Sequence, residues 1–197
     1  MNTLEQLFKN YPQLEGWCTE EKAREMIKYL PNNAQLCVEL GVFAGKSLLP
    51  ISITCEGKAT VIGIDAWSSQ ASLEGINDKA NDEWWKGIDY NHFQNYTQGL
   101  LNYYQCKNTK LLKMTSKEAV KNFEDNSIDF LHQDSNHSEE ISCEEVELYF
   151  QKVKSGGIWV FDDTDWKTTI KAQDLLISKG AVELVNHGDW RIFQKIV

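Results

Sequence analysis

The feature that most constrains this chain is a short apolar run that ends in two closely spaced glycines. Residues 36–40 read Leu-Cys-Val-Glu-Leu, which is typical of a strand buried on both faces of a parallel sheet. Gly41 and Gly45 predict a tight turn, and a helix is predicted to begin at Ser47, with Pro50 tolerated in its first turn. Glycines let a ligand approach the backbone, and a helix N-terminus offers free N–H groups. This order of elements predicts a small-molecule site at the carboxyl end of the strand.

Two nucleotide-binding interpretations of this turn fail in their details. A phosphate-binding P-loop needs G-x-x-x-x-G-K-[ST], and Gly45, Lys46 and Ser47 supply only its end. Its first glycine would fall at position 40, which is Leu40, so the loop is one residue short. A dinucleotide fingerprint needs G-x-G-x-x-G, but Phe43 and Lys46 stand where glycines must admit a pyrophosphate.

The rest of the chain alternates apolar runs with helical patterns. Further strands are predicted at residues 59–65, 110–114, 128–133, 158–161, 182–185 and 190–196. Further helices are predicted at about residues 3–9, 20–30, 116–123, 139–153 and 168–178. This alternation predicts a single α/β domain over residues 1–197, with a mainly parallel sheet covered on both faces. Residues 1–33 are expected to form a helical cover, and a hairpin at Gly188 should make the last strand antiparallel.

Residues 66–108 interrupt this alternation with a polar segment rich in aromatic rings. It contains the pair Trp84-Trp85 and a tyrosine-rich end. Because the segment is too long for an ordinary connection, it is predicted to be either a helical insertion or a lid over a substrate.

Composition excludes several classes of partner. A net charge of −9 and a pI near 5.0 argue against nucleic acid, which proteins bind through clustered Lys and Arg. Five widely spaced cysteines without C-x-x-C indicate reduced thiols rather than a disulfide framework or a zinc site. The first residues lack a signal-peptide pattern, and no apolar run reaches membrane-spanning length. We therefore expect a soluble, cytoplasmic protein without a membrane partner; a homo-oligomer stays open.

Four blocks in order carry a resemblance to a known family. They are E-L-G-V-F-A-G-K-S, V-I-G-I-D, I-D-F-L-H-Q-D-S-N-H and K-S-G-G-I-W-V-F-D-D. Together they resemble class I S-adenosylmethionine (SAM)-dependent methyltransferases, and in particular small metal-dependent O-methyltransferases of the catechol and the sugar or natural-product type. The resemblance implies a Rossmann-like seven-stranded sheet in the order 3-2-1-4-5-7-6, with SAM lying over strands 1 and 4.

The resemblance also implies a role for each matching residue. Around SAM it implies Glu39, Gly41, Phe43 and Ser47 at the methionine part, Asp65 at the ribose and Ser116 near the adenine. Trp67 follows Asp65 closely enough to flank the adenine, and Gly45 and Asp134 are further candidate cofactor-binding residues. Asp65 lies 65 − 45 = 20 residues past Gly45, where nucleotide folds often place an acid that binds ribose. Three structural alternatives stay open. Asp65 could form a turn, Glu39 could pair with Lys46, and Trp67 could belong to the core.

Three carboxylates follow neighbouring strands. Asp134 follows the fourth strand, and Asp162 and Asp163 follow the fifth. Adjacent parallel strands end side by side, so these acids should crowd one edge of the sheet, where a hard dication would relieve their repulsion. The family resemblance implies Mg²⁺ on all three. The alternative is that Asp162 and Asp163 cap a helix and Asp134 is a loop residue.

His137 is the candidate catalytic base. In catechol-type relatives a lysine base stands three residues past the metal-binding aspartate, and His137 stands three residues past Asp134. Sugar-modifying relatives use an aspartate two residues past the ligand, where this chain has Asn136, which cannot accept a proton. Histidine accepts protons near neutral pH, although His137 could also simply precede a helix. His132 lies within a strand pattern and is expected to be structural.

The sequence thus predicts a SAM-dependent O-methyltransferase, with SAM and Mg²⁺ as cofactors and a small hydroxylated molecule as its acceptor. Two alternatives stay open. One is a P-loop-like nucleotide hydrolase, because W-V-F-D-D also resembles a Walker B strand. The other is a SAM-binding module without catalytic activity.

Overall fold

The computed structural model describes residues 4–197 and consists of a central β-sheet with helices around it. The strands are β1 (Leu36–Leu40), β2 (Thr60–Asp65), β3 (Thr109–Lys113), β4 (Ile128–Gln133), β5 (Val153–Asp162), β6 (Ala181–Asn186) and β7 (Trp190–Lys195). The helices are α1 (Leu4–Asn10), α2 (Glu20–Tyr29), α3 (Leu48–Thr54), α4 (Ser69–Ser72), α5 (Lys79–Lys86), α6 (Tyr90–Tyr103), α7 (Ser116–Ala119), α8 (Glu139–Tyr149) and α9 (Ile170–Ser178). The predicted start of the first helix, at residue 3, lies outside the described residues.

The strand order confirms the prediction. Across the described residues the sheet runs β3-β2-β1-β4-β5-β7-β6, with β7 antiparallel to both of its neighbours and the other pairs parallel. Leu40, the last residue of β1, pairs with Ile64 on one side and with Gln133 on the other. The residues that follow these two partners are Asp65 and Asp134, so the register brings both carboxylates to the two sides of the glycine turn.

Alternate strand residues build two apolar layers, one on each face of the sheet. Val38, Leu40 and Trp159 pack with α7, α8 and α9 on one face. Cys37 and Val160 pack with α2 and α3 on the other face. Side chains that alternate in this way bury both faces, which explains why the central strands are apolar throughout. A third cluster joins α1 and α2 to α3 and α6.

The segment between residues 149 and 158 differs from the prediction. Helix α8 ends at Tyr149 rather than Val153, and β5 already begins at Val153. The Gly156-Gly157 pair precedes the predicted strand but lies within the observed one, where Gly156 has a φ of +81°. The β4–β5 register shifts there, which is the behaviour of a bulge rather than of a chain reversal.

Residues 66–108 fold mainly into helices α4, α5 and α6. Among the described residues, the helices are too short or too polar to cross a bilayer.

Candidate active site

The glycine turn after β1 is wedged between the ends of β2 and β4. Gly41 has a φ of +82° and donates its N–H to the carbonyl of Ile64 at 2.9 Å. On the other side, the N–H of Asp134 donates to the carbonyl of Leu40 at 2.8 Å. A Cβ on Gly41 would lie 1.9 Å from the backbone oxygen of Asp134. Glycine is therefore required so that the turn and the loop after β4 can meet.

The Asp65 carboxylate pins this turn through backbone N–H groups. One oxygen accepts from Val42 at 3.0 Å and from Phe43 at 2.8 Å, and the other accepts from Trp67 at 2.6 Å. Burial raises the pKa of Asp65, although these N–H bonds oppose the shift. Phe43 and Trp67 both adopt left-handed backbone with φ of 47° and 40°, a sparsely populated conformation that clusters at functional sites. The turn-forming alternative for Asp65 is thus present in the structure.

Trp67 behaves as a core residue that also borders the site. It is 4 % exposed, and its indole N–H donates to the carbonyl of Phe43 at 2.9 Å. The predicted adenine contact stays a prediction.

Glu39 lies fully buried behind the turn. Its carboxylate accepts from the Ser47 hydroxyl at 3.0 Å and lies 3.0 Å from Nδ1 of His132. Burial and the Lys22 charge lower the pKa of His132, but Asp162 and Glu39 outweigh them and raise it to about 9. The side chain of Glu39 therefore holds two neighbours in place, and His132, expected to be merely structural, belongs to the charged network of the site.

The Lys46 ammonium is held by backbone carbonyls of the segment that precedes α2. It donates to the backbone carbonyls of Leu14 at 3.1 Å and Gly16 at 3.2 Å, while the Lys46 carbonyl accepts from the Tyr11 hydroxyl at 3.0 Å. Lys46 thus ties the N-terminal segment to the glycine turn. Neither a P-loop role nor the suggested Glu39–Lys46 pair agrees with these contacts.

At the carboxyl edge of the sheet, the side chain of Lys22 from α2 forms an ion pair with Asp162. Lys22 is 3 % exposed, and Nε2 of His132 lies 3.8 Å from the same carboxylate. Burial would raise the pKa of Asp162, but the Lys22 and His132 charges hold it well below its ordinary value. Burial also opposes the charge on Lys22, yet Asp162 and Asp134 raise its pKa above the ordinary value.

His137 lies between the other two aspartates of this edge. Its Nε2 is 2.8 Å from Asp163 and 3.8 Å from Asp134, and its ring packs edge-on against Trp166 at 4.9 Å. Burial lowers the pKa of His137, but the two carboxylates raise it to about 10. Burial and the charge of Asp162 raise the pKa of Asp134 to about 7. His137 is therefore an imidazolium at neutral pH in the resting site.

By distance alone, two overlapping groups could hold a metal ion. They are His132, Asp134 and Asp162, and then Asp134, His137 and Asp163, and within each group the ligand atoms lie within 4.8 Å of one another. Two of the three predicted metal-binding aspartates already have a basic partner in the protein. The protein supplies its own cations, since Asp162 faces Lys22 and Asp163 faces His137. Mg²⁺ on Asp134, Asp162 and Asp163 stays a prediction.

A cavity of about 950 Å³ connects these features. The predicted site residues that line it are Gly41, Phe43, Ser47, Asp65, Trp67, Ser116, Asp134, His137, Asp162 and Asp163. Gly45 instead supports the turn from behind, where a Cβ would lie 2.8 Å from the Thr97 methyl of α6. The structure thus brings together residues from the ends of five strands around one space.

An aromatic wall closes one side of the cavity. Trp17 stacks on Phe43 at 5.3 Å, and Trp84 and Trp85 from α5 pack edge-on against Phe43 at 5.8 Å and 5.6 Å. The side chain of Asn136 fastens this segment, because its amide donates to backbone carbonyls at the end of α4, including those of residues 71 and 74 at 3.0 Å. The 66–108 segment is therefore largely helical and borders the cavity, and its role as a lid stays a prediction.

Two further site residues escaped the sequence interpretation. Glu145 on α8 lines the cavity and accepts from the Ser135 hydroxyl at 2.6 Å and the Gln133 amide at 3.0 Å. Burial raises its pKa to about 7. Its spacing from buried Ser142 and Tyr149 puts it on the inward face of α8, a signal that the sequence contained. Lys22 likewise shares the inward face of α2 with Met26.

Comparison with known proteins gives the family. Residues 38–164 match the model of a protein family described as a methyltransferase domain. This match spans more than half of the chain, so the chain belongs to that family. The resemblance to class I SAM-dependent methyltransferases is confirmed, and the chain is a SAM-dependent methyltransferase. A search of curated protein sequences gave no match.

Solved structures share the fold at low sequence identity. A calicheamicin methyltransferase superposes with a TM-score of 0.68 at 15 % identity, over 96 % of this chain and 84 % of the other. The O-methyltransferase NovP gives 0.65 at 13 % identity, over 90 % and 79 %. An O-methyltransferase from Bacillus cereus in complex with SAH gives 0.64 at 10 % identity, over 100 % and 91 %.

Proposed function

We propose that this methyltransferase transfers the methyl group of SAM to a hydroxyl of a small molecule of the sugar or natural-product type. One observation carries the proposal, namely the cavity of about 950 Å³ that joins the glycine turn to the Asp134–His137–Asp163 group. Ligand pockets span roughly 300–1,000 Å³, so this cavity is large enough for a donor and an acceptor together. Among structural neighbours, NovP and the Bacillus cereus protein are O-methyltransferases, which favours oxygen as the acceptor atom.

The donor half of the cavity suits SAM. Asp65 uses its two oxygens for three N–H bonds, and a carboxylate offers about four acceptor positions, so one remains for a ribose hydroxyl. Ser116 also lines the cavity, and the adenine is proposed to lie beside it. The acidic edge at Asp134 favours a positively charged sulfonium. Bound SAM supplies an electrophilic methyl group, and the residues of the turn bind and orient it.

The acceptor half supplies a proton acceptor. The acceptor oxygen must lose its proton as it takes the methyl group, and we assign this proton to the imidazole ring of His137. Since the pKa of His137 is about 10 in the resting site, only the minority neutral form can act at pH 7. The aromatic wall and Trp166 line the cavity and give it apolar surface beside the proposed acceptor position.

The sequence also predicted that Mg²⁺ assists the reaction. Because Asp162 is paired with Lys22 and Asp163 with His137, the proposed reaction contains no metal-dependent step. The family match argues against a SAM-binding module without activity, and the contacts of Lys46 argue against a nucleotide hydrolase.

The experiment is a transfer assay with methyl-labelled SAM and a panel of sugars, phenols and glycosylated natural products. We expect label on a hydroxylated acceptor, with a rate that rises with pH towards about 10. His137→Ala should lower the rate roughly 10²–10⁴-fold, and the loss should shrink at high pH, where acceptor hydroxyls ionise unaided. His92→Ala is the control, since His92 is exposed on α6 and paired with Glu15. SAM binding without transfer to any acceptor would favour the non-catalytic module.

A further inference from the structure

We propose that the Lys22 ammonium is a built-in cation that replaces a divalent metal at the acidic edge of this site, so that the methyltransferase works without a metal. This inference rests on the proposed function, because the same edge is assigned to the acceptor.

The position of Lys22 is specific. It comes from α2, 140 residues away from Asp162 in the chain, yet its ammonium meets that carboxylate. Its backbone N–H is held by the hydroxyl of Thr19, the N-cap of α2, at 3.1 Å, which fixes the first turn of the helix. Lysine side chains are almost never fully buried without a partner, so the burial of Lys22 depends on the acids it meets.

Most of the negative charge at this edge is compensated without an ion, because three basic groups face four carboxylates. The carboxylates are those of Glu39, Asp134, Asp162 and Asp163, and the basic groups that face them are Lys22, His132 and His137. A dication on Asp134 and Asp162 would share Asp162 with an ammonium and would also face a histidine ring. The metal ion and the Lys22 ammonium would lie side by side, because both would contact the same carboxylate. Like charges repel strongly in a buried site, so the metal and Lys22 exclude each other.

Lys22 acts through Asp162 and is a positioning residue. An ammonium is a compact point charge, as a hydrated metal ion is, and here the protein holds it in place permanently. It keeps Asp162 ionised and directed to the cavity, where both residues form part of the lining. If this is correct, removal of the ammonium should leave an acidic pocket that binds a dication.

The experiment is a calorimetric titration of the purified protein with Mn²⁺ and Mg²⁺, which needs no acceptor. Wild type should show no one-to-one binding below about 1 mM. Lys22→Met removes the charge but keeps an unbranched stem, and it should bind Mn²⁺ at least ten-fold more tightly than wild type. Lys28→Met is the matched control, because Lys28 lies on the same helix in an exposed pair with Glu25 and its loss should change nothing. The double variant Lys22→Met/Asp162→Asn should lose the gained affinity.

Activity gives a second measurement. Chelation should leave wild-type turnover unchanged. Lys22→Met should lose turnover, and added Mn²⁺ should restore part of it. Tight one-to-one metal binding by wild type that Asp163→Asn abolishes would overturn the inference, even if Lys22→Met does not fold. Failure of the proposed function is recognised separately, because it would show as absent SAM binding or absent transfer whatever the metal result.

Discussion

The replacement Gly41→Ala tests the contact between the glycine turn and the loop after β4. The added Cβ would lie 1.9 Å from the carbonyl oxygen of Asp134, 2.5 Å from its carbonyl carbon and 2.6 Å from the Cα of Ser135. Optimal contacts between heavy atoms lie at about 3.5–4.0 Å, so the backbone of Asp134 must retreat by roughly 1.5 Å. Overpacking of this kind costs about 1–3 kcal/mol, and a left-handed backbone costs a residue with a Cβ about 1–2 kcal/mol more.

We therefore expect Gly41→Ala to lose about 2–5 kcal/mol of unfolding free energy, measured by urea denaturation. At about 2–4 °C per kcal/mol for a chain of this length, the melting temperature should fall by at least about 4 °C. Gly57→Ala is the matched control, since Gly57 also has a positive φ of +72° but a Cβ there meets no atom within 4 Å. Gly57→Ala should lose only about 1–2 kcal/mol of unfolding free energy, which is the cost of left-handed backbone for a residue with a Cβ. Equal losses in the two variants would refute the steric argument.

Two further predictions concern the charged network and the insertion. The pKa of His132 is raised to about 9, so its contribution to stability is complete below about pH 6.5 and is lost as the pH rises through 9. Glu39→Gln should therefore destabilise the protein more at pH 6 than at pH 9.5 in urea denaturation, and a pH-independent difference would contradict a protonated His132. Asn136→Ala removes the amide that fastens α4 and should speed limited proteolysis within residues 66–108, while the distant Asn186→Ala should not. We also expect SAM to slow this cleavage, and equal cutting with and without SAM would mean that the segment is not a lid.

Much of the fold could be predicted because its signals are local. Each central strand is a short apolar run that ends at a glycine or an aspartate. Because connections between parallel strands are right-handed, few topologies fit this order of strands and helices. The same logic placed Asp65 and Asp134 at neighbouring strand ends, and the register of β1 with β2 and β4 explains why they flank one turn. The start of β5 was mispredicted because a Gly-Gly pair indicates a turn more often than a bulge.

The compensation of the acidic edge could not be predicted from the blocks that gave the fold. Lys22 reaches Asp162 across 140 residues, and a lysine in the first turn of a helix is ordinarily a solvated residue. His132 was assigned to the strand by its position, and the strand pattern alone did not reveal that its ring would lie 3.0 Å from Glu39. Charges that neutralise one another across distant elements leave no periodic signal in the sequence. The acids could therefore be predicted from the strand ends, but their basic partners could not.

The most direct test of the central claim is a calorimetric titration of the wild-type protein with SAH, followed by ATP. We predict one-to-one binding of SAH and no binding of ATP, because Asp65 and the glycine turn suit a ribose and an amino acid part while Lys46 is engaged by backbone carbonyls. A protein that ignores SAH and binds ATP would contradict the account.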